Sequence, residues 1–377
     1  MLTAIPVGQG DAFLLQRKDG PTILVDGGRS ATALPNQVGQ LVAEQIDVVV
    51  CTHADADHTD GLIGLLDVGL TPVKEVWLPG RWTSRLEDLL RGDEGWLLEL
   101  ADQIERTEAE SLEEVARRRD DESRDGDAAT DRREILAMFP DDDREGGELP
   151  LRLVRAGMLI PPWFFPFWTP GHPKQKLLAE AINAANRIRA LALAAHHHGA
   201  KIRWFDFDEA SRTGNPKGGE AFLRPLNAVE ITTGHALRKL GILRYLALSV
   251  ANRESLVFAA PEGHGWSGVV FAADSDMACS SHIPTFRRPA AITAPHHGSE
   301  SNAAAYQAVA SQMGTALGFW IRSDGNFPKR PGNTFLQQTA KRACTLCRGA
   351  GLPKQAVQLV EGPSGWALAA GGHCKCK

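Results

Sequence analysis

Four side chains of the types that bind metal ions stand within six residues, at His53, Asp55, Asp57 and His58. They follow the apolar residues 46–51, which predict a buried β-strand, and a short helix is expected from Thr59. Burying two imidazoles and two carboxylates at such a turn costs free energy unless a partner neutralises them. A divalent cation suits all four. The pattern therefore predicts a metal site rather than an ordinary polar loop.

Another carboxylate, Asp26, ends an apolar strand and precedes two glycines. Glycine lets the backbone turn tightly at this point. The Asp26 carboxylate is expected to reach under the metal loop and to orient a ligand histidine. The alternative is a plain turn residue at a strand end.

Two later apolar segments also end in metal-binding residue types. Asp274 follows residues 267–273 and can ligate one cation or bridge two, with Asp276 as a nearby alternative. His296 and His297 follow a further apolar segment. We expect one of the pair to be a ligand and favour His297. The other would hydrogen-bond near the site or touch substrate, and the alternative is two surface histidines.

The segment 52–58 resembles the second motif of the metallo-β-lactamase fold superfamily, His-x-His-x-Asp-His. Asp55 stands where the second histidine usually stands. The variant His-x-Asp-x-Asp-His is typical of the metallo-hydrolase domain of the competence-channel protein ComEC and of its soluble relatives. Other similar segments keep the family's order along the chain: residues 7–12, which include Asp11, and residues 23–28, 252–257, 271–274 and 294–299.

The resemblance covers residues 1–80 and about 245–335. It implies an α/β protein with a four-layer αβ/βα metallo-β-lactamase sandwich and a largely helical insertion between the two halves. The expected divisions are an N-terminal half at residues 1–80, an insertion at 81–240 that is mostly helical with mobile acidic loops, and a C-terminal half at 241–377 that carries a cysteine-bearing tail.

One ligand of the superfamily has no clear counterpart here. A further histidine usually lies between the second motif and the bridging aspartate, and none of the candidates follows a convincing strand: His172, His196, His197, His198, His235 and His264. The run His196 to His198 closes a predicted helix over residues 175–195, where cations near the helix C-terminus are the simpler interpretation.

The resemblance implies two unequal metal positions. The second is complete, with Asp57, His58, Asp274 and His297, whereas the first, around His53 and Asp55, is weaker. We expect one firmly bound divalent ion, Zn or Mn, and a second, looser one. An oxygen-rich ligand set leans toward Mn or Mg, with Zn still compatible.

The chemistry expected at this site is hydrolysis. A bound metal lowers the pKa of its water toward ~7 and supplies a hydroxide nucleophile. We expect Asp57 and His297 to act in catalysis, and Asp11 and Asp26 to support the ligands. The resemblance implies a phosphodiester substrate, as for a nuclease.

Four polar residues are candidates for contacts to phosphate oxygens: Asn252, Ser255, Ser299 and Asn302. As ordinary polar residues of turns and strands they need no function. Two alternatives to a phosphodiesterase stay open. One is a lactone or ester hydrolase on the same fold, and the other is a weakly catalytic protein that binds a protein partner through the insertion.

Composition limits these interpretations. The chain has 377 residues, 43% of them hydrophobic, and a net charge of −5. That is not the basic balance of a nonspecific nucleic-acid binder, so small phosphodiesters remain open beside nucleic acid. No apolar run approaches the ~18–20 residues that span a membrane, and the first residues do not resemble a signal peptide. A cytoplasmic bacterial protein without membrane contact is expected.

Four cysteines near the C-terminus form a second pattern, with Cys344 and Cys347 as C-x-x-C and Cys374 and Cys376 as C-x-C. They could form a closed tetrahedral zinc site. The spacing departs from a standard zinc ribbon, and chain termini often fray. Free or incidentally paired thiols therefore remain the alternative to a structural zinc ion.

Overall fold

The computed structural model describes residues 1–91, 95–105, 173–207, 215–232, 241–246, 254–263, 265–324, 330–347, 356–370 and 373–376. Within these ranges the chain forms two β-sheets with helices packed against them. The predicted mixed α/β class is confirmed, whereas the four-layer arrangement with a helical insertion stays a prediction.

The strands, in chain order, are β1 (Leu2–Ala4), β2 (Phe13–Gln16), β3 (Thr22–Val25), β4 (Ile46–Val50), β5 (Val73–Pro79), β6 (Lys201–Phe207), β7 (Arg224–Pro225), β8 (Ala228–Glu230), β9 (Phe258–Ala260), β10 (Val269–Phe271), β11 (Ala290–Thr293), β12 (Leu317–Arg322), β13 (Lys341–Cys344), β14 (Val357–Gly362) and β15 (Gly365–Ala370). One sheet has the order β15-β14-β1-β2-β3-β4-β5-β6-β8, and the other β13-β12-β11-β10-β9-β7. Strands β3 to β6 run parallel, as do β10 to β13.

The α-helices are α1 (Ala33–Leu41), α2 (Ala56–Val68), α3 (Leu86–Arg91), α4 (Gly95–Glu105), α5 (Pro173–His197), α6 (Ile242–Leu246), α7 (Ala303–Met313) and α8 (Asn333–Leu336). Short 3₁₀ turns occupy Gly80–Ser84, Ser280–His282, Pro295–Gly298, Glu300–Asn302 and Gly314–Ala316. The predicted strand before the metal motif is confirmed as β4. The helix after it begins at Ala56, slightly earlier than expected.

Both faces of the central strands are buried. In β4, Val48 and Val50 belong to an apolar cluster that includes Phe258 and Phe319 of the other sheet. Val49 belongs instead to a cluster shared with the helices. This follows from the period of two along a strand, which sends successive side chains to opposite faces. A strand buried on both faces is typically rich in β-branched residues, as residues 46–50 are apart from the partly buried Asp47.

The predicted insertion contributes to the nine-stranded sheet. Strands β6 and β8 lie within residues 81–240, and β6 pairs with β5 on one side and with β8 on the other. Residues 106–172, which include the predicted acidic loops, lie outside the described part of the chain. The division at residues 80 and 240 therefore stays a prediction. None of the described helices is both long and apolar enough to cross a membrane.

Candidate metal centre

The predicted metal-binding side chains follow strand ends in both sheets. Asp26 comes directly after β3, and His53 comes shortly after β4. Asp274 follows β10, while His296 and His297 follow β11. Because β3 and β4 run parallel, as do β10 and β11, the carboxyl ends of each pair meet at one edge. That edge is where open α/β sheets place their ligands.

One set of donor atoms comes from Asp57, His58, Asp274 and His297. His58 Nε2 lies 3.2 Å from His297 Nε2 and 3.3 Å from Asp274 Oδ1. His297 Nε2 lies 3.3 Å from Asp57 Oδ2 and 3.6 Å from Asp274 Oδ1. Neighbouring nitrogen ligands of a tetrahedral zinc ion are ~3.3 Å apart when Zn–N is ~2.0–2.1 Å. These donor pairs therefore have the spacing of ligands around one ion.

Two carboxylates determine which nitrogen of each ring faces this point. His58 Nδ1 lies 2.8 Å from Asp26 Oδ2, and His297 Nδ1 lies 2.9 Å from Asp11 Oδ1. An ionised carboxylate only accepts hydrogen bonds, so each ring carries a proton on Nδ1. When both rings are neutral, the lone pairs of the two Nε2 atoms point at each other, which is unfavourable. A cation between the two atoms would make the arrangement favourable. Asp11 is close enough to be a ligand, but its Oδ1 is engaged with His297.

A second set of donors surrounds the other oxygen of Asp274. His53 Nε2 lies 3.7 Å from Asp274 Oδ2 and 3.8 Å from Asp55 Oδ2. His296 Nε2 lies 3.6 Å from the same Asp274 oxygen. His53 Nε2 is buried and forms no hydrogen bond with any described residue, and the same holds for Asp274 Oδ1 in the first set. Such buried, unpartnered polar atoms are expected where an ion binds.

The backbone of the histidine pair is strained. His296 and His297 have φ values of 47° and 52°, in the left-handed region that residues with a Cβ rarely adopt. Tyr306 Oη donates to Pro295 O over 2.8 Å and holds the start of this turn. Strain of this kind persists only where the surroundings enforce it, and it is concentrated at functional sites. Here it aims two adjacent histidines at opposite oxygens of Asp274.

Thr52 is a site residue that the sequence patterns did not single out. Its backbone N and its Oγ1 both donate to the Asp26 carboxylate, over 2.9 Å and 2.8 Å. Thr52 Oγ1 also lies 3.0 Å from His53 Nδ1. The expected place of Asp26 beneath the metal loop thus agrees with the geometry. Its function there stays a prediction.

The predicted substrate contacts have different surroundings. Asn302 Nδ2 donates to the carbonyls of Asp274 and Ser275, each over 3.0 Å, so it braces the Asp274 loop. Ser299 Oγ lies 2.9 Å from Ser301 Oγ, which in turn lies 3.3 Å from His296 Nδ1. Ser255 is buried, and its carbonyl accepts from Asn227 Nδ2, whereas Asn252 lies outside the described residues. Binding of substrate by these residues stays a prediction.

The other histidine candidates lie elsewhere. His198 Nε2 accepts from Val73 N, and its Nδ1 lies 3.1 Å from Leu66 O, so the ring is used in packing. His196 and His197 are exposed in the last turn of α5, which agrees with the helix-terminus interpretation. The remaining candidates lie outside the described ranges: His172, His235 and His264.

The electrostatics of the centre reflect burial of many charges together. Burial lowers the pKa of His53 and of His296 to about 4, so both rings are neutral at pH 7 and able to bind a metal. Burial, and then Asp57, raise the pKa of Asp55 to about 7. Burial opposes protonation of His58, yet Asp274 and Asp26 raise its pKa well above the ordinary value. A cation would replace these protons, since metal ligation requires the deprotonated forms.

A small cleft opens beside His53. Its lining includes Arg81, whose guanidinium pairs with Glu254, and Tyr245, whose Oη donates to Trp82 O. Backbone contact between Leu256 N and Thr52 O joins this wall to the metal loop. Arg81 therefore lies in the same cleft as His53 of the candidate metal centre.

Residues 5–149 match the family model of the metallo-beta-lactamase superfamily. The matched stretch is less than half of the chain and contains Asp11, Asp26 and the motif from His53 to His58. Members of this superfamily are mostly hydrolytic enzymes that bind divalent metal ions, and the Asp and His cluster could hold one. No curated protein matches the chain. The superfamily resemblance is thus confirmed over residues 5–149, and the ComEC-type resemblance stays a prediction.

Proposed function

We propose that the protein is a metal-dependent phosphodiesterase that uses two metal ions. The observation that carries the proposal is the position of Asp274. Its Oδ1 faces His58 and His297, while its Oδ2 faces His53 and His296. A carboxylate that presents one oxygen to each of two imidazole pairs suits two ions. Paired ions ~3.5–4 Å apart are typical of phosphatases and nucleases.

The donor distances suggest how the ligands divide. The second position would take Asp57, His58 and His297, and the first would take His53, Asp55 and His296, with Asp274 shared. His296 would thus take the role of the further histidine ligand, for which the sequence has no clear candidate between Asp57 and Asp274. The donors around His53, Asp55 and His296 have wider spacings, 3.6–3.8 Å, which supports a more loosely bound ion at that position.

When bound, the ions would lower the pKa of a water toward ~7 and offset charge on the phosphate oxygens. The chain's own residues hold this arrangement. Asp26 and Asp11 keep the His58 and His297 protons on Nδ1, and Asn302 fixes the Asp274 loop. Zn and Mn both suit such mixed imidazole and carboxylate ligands.

We place the substrate in the cleft beside His53. Arg81 is a guanidinium of the kind that pairs with phosphate oxygens, and Glu254 holds it there. A net charge of −5 favours a small phosphodiester over nonspecific binding of long nucleic acid.

The test is hydrolysis of bis(p-nitrophenyl) phosphate by metal-depleted protein resupplied with Zn, Mn or Mg in parallel. A p-nitrophenyl ester and a lactone serve as competing substrates. Asp57→Asn removes a ligand, and Asp67→Asn is the matched control because Asp67 is an exposed carboxylate of the same helix. We expect metal-dependent phosphodiester turnover that is retained in Asp67→Asn. In Asp57→Asn the turnover should fall by more than ~100-fold, which is the upper end for residues that only support a ligand.

Turnover of the ester or lactone without the phosphodiester would replace the proposal by the alternative hydrolase. Metal binding without turnover of any of these substrates would count against an enzyme and favour the partner-binding interpretation.

A further inference from the structure

The four C-terminal cysteines come together in space, away from the histidine and aspartate centre. Cys344 ends β13, and Cys347 lies in the turn that follows. The tail lies beside β13, with Ala343 bridged to His373 and Cys374 N donating to Arg342 O over 2.7 Å. This pairing brings the C-x-C of the tail against the C-x-x-C of the strand end.

The distances among the four sulfurs suit one ion. All four Sγ atoms, of Cys344, Cys347, Cys374 and Cys376, lie within 4.8 Å of one another. Tetrahedral zinc with Zn–S of ~2.3 Å separates its sulfur ligands by ~3.8 Å. The Cys347 and Cys376 sulfurs are 3.2 Å apart, well beyond the ~2.05 Å of a disulfide, and all four cysteines are free.

The cluster is surrounded by hydrogen-bond donors that favour thiolates. Lys375 N donates to Cys347 Sγ over 3.0 Å, and Leu346 N donates to Cys344 Sγ over 3.4 Å. Arg322 Nη1 donates to Cys344 Sγ over 3.3 Å, and this guanidinium is fully buried. Four thiolates around a divalent cation carry a net charge of −2, which the buried guanidinium partly offsets. Donors to the ligand sulfurs are the usual support of a metal–thiolate site.

We propose that Cys344, Cys347, Cys374 and Cys376 bind one structural zinc ion, separate from the ions of the candidate metal centre. A closed set of four cysteines leaves no open position for substrate, so the ion serves structure. It fastens residues 373–376 to β13.

The same ion also supports the candidate metal centre through one side chain. Arg322 donates from Nη1 to Cys344 Sγ, from Nε to His297 O, and from Nη2 to Asp324 Oδ2 over 2.6 Å. Asp324 Oδ1 accepts from Gly10 N. The zinc-bound Cys344 thiolate therefore fixes a guanidinium that holds both the strained histidine turn and the loop before Asp11.

The test uses cobalt and zinc on the full chain. Metal-depleted protein is titrated with Co²⁺, and the thiolate-to-cobalt charge-transfer bands in the near ultraviolet report on this cluster alone, because imidazole and carboxylate ligands do not produce them. Cys347→Ser/Cys376→Ser removes two ligands. Cys279→Ser is the matched control, since Cys279 is a buried free cysteine outside the cluster.

We expect the bands in the wild-type protein and in Cys279→Ser, and their loss in the double variant. Zn²⁺ should displace cobalt and protect four cysteines from alkylation until a chelator is added, as mass spectrometry would show. Absence of the bands in the wild-type protein, or a mass that is two hydrogens low because of a disulfide, would overturn the proposal. These wild-type readouts decide the matter even if the double variant does not fold, and neither depends on hydrolase activity.

Discussion

At the scale of single residues, the two facing Nε2 atoms of His58 and His297 are the most informative feature. They lie 3.2 Å apart because Asp26 and Asp11 each engage the opposite nitrogen of a ring. Without those carboxylates either ring could turn or change tautomer, and the lone pairs would no longer converge. We therefore expect the two supporting carboxylates to affect metal affinity nearly as much as the predicted ligands do.

Asp26→Asn tests this directly. An amide can present its NH₂ group to His58 Nδ1, which favours the tautomer that has its proton on Nε2 and so blocks ligation. We expect metal affinity to fall ~10–100-fold, measured by competition with a chelator of known affinity. Asp67→Asn should bind metal as the wild-type protein does. Equal affinity in Asp26→Asn and wild type would contradict this function of Asp26.

At the scale of elements, close approach of the loop at residues 8–11 to the first turn of α2 positions Asp57. Asp11 N donates to Asp57 O over 3.1 Å, and a Cβ added to neighbouring Gly10 would lie 1.8 Å from that same oxygen. Gly10 has φ of 93°, and Gly8 has a similar φ of 88° but no atom within 4 Å of an added Cβ. Comparing substitutions at the two glycines therefore separates the effect of backbone strain from the effect of steric contact with Asp57.

Gly10→Ala should therefore do more damage than Gly8→Ala. Placing alanine in the left-handed region costs about 1–2 kcal/mol in either variant, and only Gly10→Ala also pushes Asp57 out of place. We expect a larger loss of unfolding free energy in Gly10→Ala by urea denaturation, and a loss of bound metal that Gly8→Ala does not show. Equal effects in both variants would mean that the structure relieves the contact between the added Cβ and Asp57 at little cost in free energy.

The turn Pro295–Gly298 is the second element that sets the geometry. Both tyrosines of the chain are buried and donate to a backbone carbonyl, Tyr306 to Pro295 and Tyr245 to Trp82. Replacing either by phenylalanine leaves a buried carbonyl without that donor. Both variants therefore remove one hydroxyl group that donates to a backbone carbonyl, and they differ in which carbonyl loses this donor.

Tyr306→Phe should lower the unfolding free energy by about 1–3 kcal/mol. Tyr245→Phe should lower it by less, because Trp82 O still accepts from Arg85 N over 3.3 Å. Only Tyr306→Phe should weaken metal binding, since only it frees the backbone that aims His296 and His297. Chelator competition on both proteins, beside urea denaturation, checks this. Weaker binding in both variants to the same degree would show that general loosening, and not the turn, is responsible.

At the scale of the whole molecule, the candidate metal centre takes its residues from segments that follow strands of both sheets. Asp57 and His58 belong to the helix that follows β4 of the nine-stranded sheet, while Asp274 and His297 follow strands of the six-stranded sheet. Bound ions would therefore link two parts of the chain that are far apart in sequence. Ligation should stabilise the fold as a whole.

Metal at a concentration of 100 Kd should add ~2.7 kcal/mol to the unfolding free energy. The melting temperature of wild-type protein should therefore rise when Zn or Mn is added after chelation. Asp57→Asn should show a smaller rise, and a rise equal to that of the wild-type protein would place the stabilising ion elsewhere. Comparison with Cys347→Ser/Cys376→Ser shows how much of the rise in melting temperature comes from the structural zinc ion.

Much of the candidate site is predictable from the sequence because its signals are local. The run at residues 46–50 specifies a strand buried on both faces, and the ligands follow immediately in chain order. Asp26, Asp274 and the histidine pair likewise follow short apolar segments. Parallel strands bring such ends to one edge, so the ligand types and their rough convergence can be read before the fold is known.

The tertiary structure decided what depends on distant pairs. Asp274 can present one oxygen to each of two histidine pairs only because of the strained turn at His296 and His297. The same turn brings His296 to the Asp274 oxygen that faces His53. The four thiols meet only because the tail pairs with β13. Residue types and spacing along the chain determine which groups are available for metal binding. Their distances and tautomers are set by packing between segments more than 200 residues apart, such as Asp11 with His297 and Asp57 with His297.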